Sequence, residues 1–202
     1  MTAEAEASVN QLTPADLLSL ERYAAERDAF RARVIEHKRA RRLAVGPNLT
    51  WCFEDRLTIQ YQIQEMLRVE RIFEAAEIRA ELETYNPLIP DGTNWKATLL
   101  IEFPDVAQRQ RQLALLKGIE RRCWIEVRGH EPVYAIADED LERENEEKTA
   151  AVHFLRFELC APMIAALRAG APLAAGVDHE HYRHWVNPIP EALKATLLTD
   201  LR

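Results

Sequence analysis

The sequence predicts an α+β fold, an antiparallel sheet of about four strands with helices packed on it. Three stretches carry that prediction. In Trp95–Phe103 the apolar Trp95, Ala97, Leu99, Ile101 and Phe103 alternate with Lys96, Thr98 and Glu102. Ile119–Arg128 sets Ile119, Cys123, Ile125 and Val127 against Glu120, Arg122, Glu126 and Arg128, and Ala151–Leu159 sets Leu155, Phe157 and Leu159 against Arg156 and Glu158. Successive strand residues point to opposite faces, so each stretch reads as a strand with one buried side. A sheet with one apolar face must cover it, and the flanking segments carry helical patterns suited to doing so.

Residues 1–11 are small, polar and acidic and read as a disordered arm, with neither the cationic start nor the apolar stretch of a secretory signal. The rest, 12–202, reads as a single α+β domain. Its first part, 12–84, is expected to be a long helical hairpin. Thr13 can cap, Pro14 suits a first helical position, Asp16 gives a capping-box spacing and Leu12 can staple onto Leu17. Leu17, Leu20, Ala24, Phe30 and Val34 then recur at helical steps, so helix is expected to about Leu43, with a break near Asp28, and Gly46-Pro47 ends it. A second helix is expected over Arg56–Glu83 on the stripe Ile59, Ile63, Met66, Val69, Phe73 and Ala76. Leu57, Ile59, Tyr61 and Ile63 also alternate as a strand would, but the helix-forming run that follows decides for helix.

The sheet unit spans 94–160. After its first strand, Asp105 caps a helix that Gly118 ends; then come the strand at 119–128, a turn at Gly129–Pro132, a short strand at Val133–Ala137 and the strand at 151–159. That is the order β-α-β-β-(α)-β, which a ferredoxin-like unit shares; the bracketed helix would be Asp138–Lys148, where Leu141 is the lone apolar anchor and a solvated loop fits as well. Two C-terminal helices, Pro162–Arg168 and Pro188–Leu201, close the segment 161–202.

Composition removes several function classes. The 202 residues carry a net charge of −7, which disfavours a nucleic-acid partner, and no apolar run is long enough for a membrane span. Three scattered cysteines, Cys52, Cys123 and Cys160, suit reduced thiols in the cytoplasm. The six glycines form neither a dinucleotide fingerprint nor a phosphate-binding loop, the serines are Ser8 and Ser19 alone, and there is no Cys-x-x-Cys or His-Glu-x-x-His.

What remains is a short set of candidates. Strand parity puts His153 on the apolar face, where it reads as a metal ligand, a general base or a hydrogen-bonded core residue. Arg121 and Cys123 share the corresponding face of their own strand, so His153, Arg121 and Cys123 form a candidate buried polar cluster. Asp178-His179-Glu180-His181-Tyr182-Arg183-His184 offers metal-binding residue types, although no regular structure turns all three histidines to one side, and a partly exposed loop is the plainer reading. Glu65 on the second helix is a further carboxylate for such a site. The run Asp138–Glu147 is acidic, and Arg31, Arg33, His37, Lys38, Arg39, Arg41 and Arg42 form a basic run toward a helix C-terminus, where cations favour the macrodipole. No tightly bound cofactor is expected. On the charged strand faces Trp124, Phe154 and Arg156 are candidates for a docking surface.

The stretches QIQEMLRVER (Gln62–Arg71), NWKATLLIEFPD (Asn94–Asp105), DEDLERENEEKTAAVHFLRFEL (Asp138–Leu159) and GVDHEHY (Gly176–Tyr182) resemble a bacterial family of unknown function over nearly all of Leu12–Leu201. The family's Asp-His pair is usually followed by proline, where this chain has Glu180. Members are often encoded beside rubrerythrin-like proteins and cysteine-rich iron–sulfur proteins of the heterodisulfide-reductase type. The resemblance therefore implies a role in peroxide or redox defence, with one of those proteins as partner. Two functions are expected on these grounds: an accessory protein that binds a redox partner, or a metal-dependent enzyme using His153, or Asp178 and His179, with Glu65 nearby.

Overall fold

The structure, a computed structural model, describes residues 10–137 and 148–202. Residues 1–9 of the expected arm and the bracketed helix at Asp138–Lys148, except Lys148, lie outside the described residues. The elements are α1 (Leu20–Arg39), β1 (Arg42–Ala44), β2 (Leu49–Phe53), α2 (Arg56–Glu70), α3 (Ala75–Tyr85), β3 (Asn94–Ile101), α4 (Val106–Leu115), β4 (Cys123–Val127), β5 (Val133–Tyr134), β6 (Ile136–Ala137), β7 (Val152–Glu158), α5 (Ala161–Arg168), β8 (Leu173–His179), β9 (Tyr182–Val186) and α6 (Glu191–Leu198). The fold is α+β, as the alternating stretches require.

The strands form two antiparallel sheets, one ordered β1-β2-β3-β7-β6 and the other β5-β4-β8-β9. This corrects the expectation of one ferredoxin-like sheet. The predicted strand at 133–137 crosses from one sheet to the other: Val133 and Tyr134 pair with β4, Ile136 and Ala137 pair with β7, and buried Ala135 lies between them. Each sheet turns its apolar parity inward. Leu49, Trp51 and Phe53, Trp95 to Ile101 at odd positions, and Leu155 and Phe157 share one core with Cys123, Ile125, Val127, Leu173, Ala175 and Val177 of the other sheet. Leu113, Leu116, Ile164, Leu167, Leu193 and Leu197 from α4 to α6 complete that core.

The expected helical hairpin is interrupted. Helix α1, capped by Ser19, stops at Arg39, and a β-hairpin follows in which Leu43 and Val45 on one arm and Leu49, Trp51 and Phe53 on the other point inward. Thr13 and Pro14 do open helical structure with the expected capping box, but it is a single 3₁₀ turn, Pro14–Asp16. The alternating start of the second helix is helical, since Asp55 and Thr58 cap each other's backbone there. That helix breaks at Arg71, which adopts a left-handed φ of 57° and separates α2 from α3. Leu12, Ile59, Ile63, Leu67, Leu82 and Ile89 form a second, smaller core under the helices.

Arg41 ties these layers together. Its side chain is 2% exposed. Nε donates to the Phe53 carbonyl at 3.0 Å and Nη2 to the Glu54 carbonyl at 3.2 Å; Nη1 lies 3.4 Å from Asp55 and Nη2 pairs with Asp200 near the C-terminus. Burial raises the Asp200 carboxyl above its usual value, against the pull of Arg41. Removing one member of such a buried set strands charge in a low dielectric. Arg41→Ala is therefore expected to cost about 3–5 kcal/mol, read as a lower midpoint in urea unfolding; an unchanged midpoint would show that the network is not a support of the fold.

Candidate functional site

His153 is fully buried on the inner face of β7, opposite Leu99. Its Nε2 lies 3.0 Å from the Ala150 carbonyl and 2.9 Å from the Thr149 hydroxyl. A carbonyl only accepts, so Nε2 is placed to donate, and in that tautomer it offers no lone pair to a metal. Nδ1 lies 4.0 Å from a carboxylate oxygen of Glu120, itself 2% exposed.

The expected cluster of His153, Arg121 and Cys123 forms only in part. Ile119–Arg122 is a 3₁₀ turn after Gly118 rather than the start of β4. Its tighter period turns Ile119, Glu120 and Cys123 inward and leaves Arg121 outside, with 74% of its side chain exposed. The sequence thus named Arg121 where Glu120 is the buried partner. Cys123 donates weakly to the Ile119 carbonyl at 3.5 Å, and burial, then Glu120, pushes its thiol well above the ordinary value. A buried neutral thiol of this kind is a poor nucleophile.

The other candidate ligands stand apart. The segment expected as a loop is the β8–β9 hairpin, and alternation along β8 sends Asp178 to the outer face and His179 inward. Both ring nitrogens of His179 meet backbone: Nε2 donates to the Lys117 carbonyl at 2.9 Å, while Nδ1 accepts from the His181 amide at 3.2 Å across the turn. Asp178 accepts from Arg122 at 2.9 Å and from the Tyr134 hydroxyl at 2.8 Å. Among the described residues no group of three or more His, Cys, Asp and Glu is placed to hold a metal ion.

Glu65 belongs to the helical layer. Arg27 grips both its oxygens at 2.8 Å, Tyr23 donates at 2.6 Å and Arg68 at 3.2 Å. That grip, with Arg27 foremost, holds its carboxyl down to about 2 from an ordinary 4.5.

The docking candidates separate onto two surfaces. Phe154 and Arg156 lie on the outer face of the five-stranded sheet, lining a cleft of about 440 Å³ with Lys96, Leu88, Ile136 and Glu158. Trp124 lies on the outer face of the four-stranded sheet. There the register aligns Tyr134, Trp124, Gly176 and Trp185 in one row across the strands. Gly176 makes the row possible: a Cβ at that position would stand 2.5 Å from Trp124 Cζ2 and 2.8 Å from Trp185 Cβ, so the Trp124 indole rests directly on the backbone. Trp185 is 67% exposed and Tyr134 43%. Beside this row run Arg122, Asp178 and Arg183. Trp124 was legible in its alternating strand; Trp185 was not, because its alternation with His184 and Val186 is hidden when the histidines are read as a loop.

A depressed carboxyl stabilises the fold above its unfolded value and loses that contribution as pH falls through its folded value. The stability gap between wild type and Glu65→Gln is therefore expected to be full at neutral pH and to close between pH 4.5 and about 2. Thermal melts across that range measure it, and a gap that stays constant would show the Arg27 pairing to be idle.

No helix among the described residues is long and apolar enough to cross a membrane. No curated protein matches the chain. The chain is similar to a crystal structure, at 1.90 Å resolution, of a novel protein of unknown function from Burkholderia pseudomallei K96243. The two are 52% identical with a TM-score of 0.90, over 95% of this chain and 100% of that one. The family described as "Protein of unknown function (DUF3501)" matches residues 11–201, and the chain belongs to that family.

Proposed function

We propose that this chain is an accessory protein that docks a protein partner on the outer face of its four-stranded sheet. The observation that carries this reading is the aromatic row in which the Trp124 indole lies over Gly176 and Trp185, 67% exposed, projects beside it. Indole surface left in water is a standing cost that a partner removes, and Trp, Tyr and Arg supply most of the binding energy at protein interfaces. Arg122 and Arg183 border the row, giving the apolar centre and charged rim of such a site.

The partners proposed are the rubrerythrin-like and cysteine-rich iron–sulfur proteins that the family resemblance implies, and the setting is peroxide or redox defence. The free thiols of Cys52, Cys123 and Cys160 support a reducing, cytoplasmic location. The net charge of −7 supports a protein rather than a nucleic acid as partner.

Titration calorimetry with the purified rubrerythrin-like and iron–sulfur proteins encoded beside the chain tests the reading. One of them is expected to bind, Trp124→Ala and Trp185→Ala each to weaken it by about tenfold or more, and Phe154→Ala, on the other sheet, to leave it unchanged. Absence of binding overturns the redox partnership. Sensitivity to Phe154→Ala alone moves the docking surface to the cleft beside Lys96.

A further inference from the structure

The two sheets have four edges, and they are unequal. β1 has three residues, β5 and β6 two each, and β9 five, Tyr182–Val186. Short edge strands are one of the devices that keep sheets from pairing with other chains, as are bulges and proline within the edge. β9 has neither. The β8–β9 turn closes on the pair His179 and Tyr182, so Tyr182, His184 and Val186 face β8 with their backbone groups. Arg183 and Trp185 direct their amides and carbonyls outward, and neither makes a backbone hydrogen bond to another element among the described residues.

This edge is also held still. On the inner side Tyr182 donates to the Val45 carbonyl at 2.8 Å and accepts from the Asn48 amide at 3.1 Å. The His184 ring occupies the space where a Cβ on Gly46 would stand 2.5 Å away. The β1–β2 turn thus clamps β9 from within while its outer side and edge stay open. A pre-set strand loses little conformational freedom when another pairs with it.

The charges along the edge define what fits. Asp178 lies across from Arg183, but its Oδ2 is taken by Arg122 and Tyr134. Arg183 makes no ion pair among the described residues, and it is exposed. The carboxylates nearby are Glu180, at the turn and 3.6 Å from His181, and Glu126, one row beyond Trp124 on β4.

We propose that β9 is a template for strand addition: an extended segment of the partner pairs along Arg183 and Trp185, setting an apolar side chain against Trp185 and an acidic one against Arg183. Backbone pairing supplies affinity and the alternate side chains supply selection. The inference rests on the docking reading above and narrows it to one chemistry, an extended apolar-and-acidic strand.

The probe is a short fluorescein-labelled peptide in which threonine alternates with valine and glutamate, titrated into the full chain by fluorescence anisotropy. It is expected to bind saturably, and its lysine counterpart to bind at least about tenfold more weakly. Arg183→Glu is expected to reverse that preference. N-methylating alternate peptide nitrogens is expected to abolish binding in one register and spare it in the other, and hydrogen exchange at Arg183 and Trp185 to slow on binding. No binding of the glutamate peptide, equal effects of both N-methyl registers, or self-association through β9 seen as a concentration-dependent mass overturns the proposal. Should a whole partner bind in a Trp124-dependent way with no slowing of exchange at Arg183 and Trp185, strand addition fails while the docking face stands.

Discussion

The structure depends on two sheets, each with one apolar face, covering each other. Trp51, Trp95, Phe157, Leu99 and Ile125 are buried to 1% or less, all on inner parities. Burying side chains of this size contributes about 1.5–3 kcal/mol each relative to leaving them in water. Register follows from the same constraint, since a one-residue slip in β3 would send Trp95, Ala97 and Leu99 to solvent. The outer parities of β3, β4 and β7 take no part in that core.

How much of this was legible depended on whether a strand had one wet face. β3, β4 and β7 do, and their alternation is visible in Trp95–Ile101, Cys123–Val127 and Leu155–Leu159. β8 does not: Leu173, Ala174, Ala175, Gly176 and Val177 are all buried, because the indole of Trp124 and the base of Trp185 cover its outer side. A strand buried on both faces shows no alternation, and Ala and Gly are weak strand formers, so no element was expected over 173–177, between the two C-terminal helices. β1 and β2 were hidden differently. Gly46-Pro47 marks a helix stop and a hairpin turn equally well, and the helical spacing before it favoured the wrong one; Gly46, at φ 74°, serves the hairpin.

The site residues divide along the same physical line. His153 was legible as buried because it lies in a regular strand, where parity holds. Arg121 was misplaced because parity was carried back into Ile119–Arg122, a 3₁₀ turn with a period near three. The resulting exchange, Glu120 in and Arg121 out, changes the chemistry of the pocket from a cation beside a thiol to a carboxylate beside one. Burial first and that carboxylate second raise the thiol of Cys123, which keeps it neutral and a poor nucleophile. The histidines of the β8–β9 hairpin were similarly divided by alternation, His179 and His184 inward and His181 in the turn, and each has a packing role or lies in solvent.

A solvated outer face asks nothing special of a central strand, and most antiparallel sheets carry Thr, Lys or Glu there. Here β8 presents Ala174, Gly176 and Asp178 outward, two of them among the smallest side chains available. The small residues lower the centre of the sheet so that the indole of Trp124 can lie on it with the Trp185 Cβ close by, and Asp178 fixes Arg122 and Tyr134 beside them. Cα-to-Cα separation across two strand spacings is about 10 Å, so the two tryptophans are neighbours on one face, with Gly176 between them. Stability alone does not call for this arrangement, since Trp185 gains little by projecting into water and its strand is already held from within by Tyr182. The small residues of β8 and the Tyr182 contacts of β9 both serve one aromatic face that ends in an edge strand.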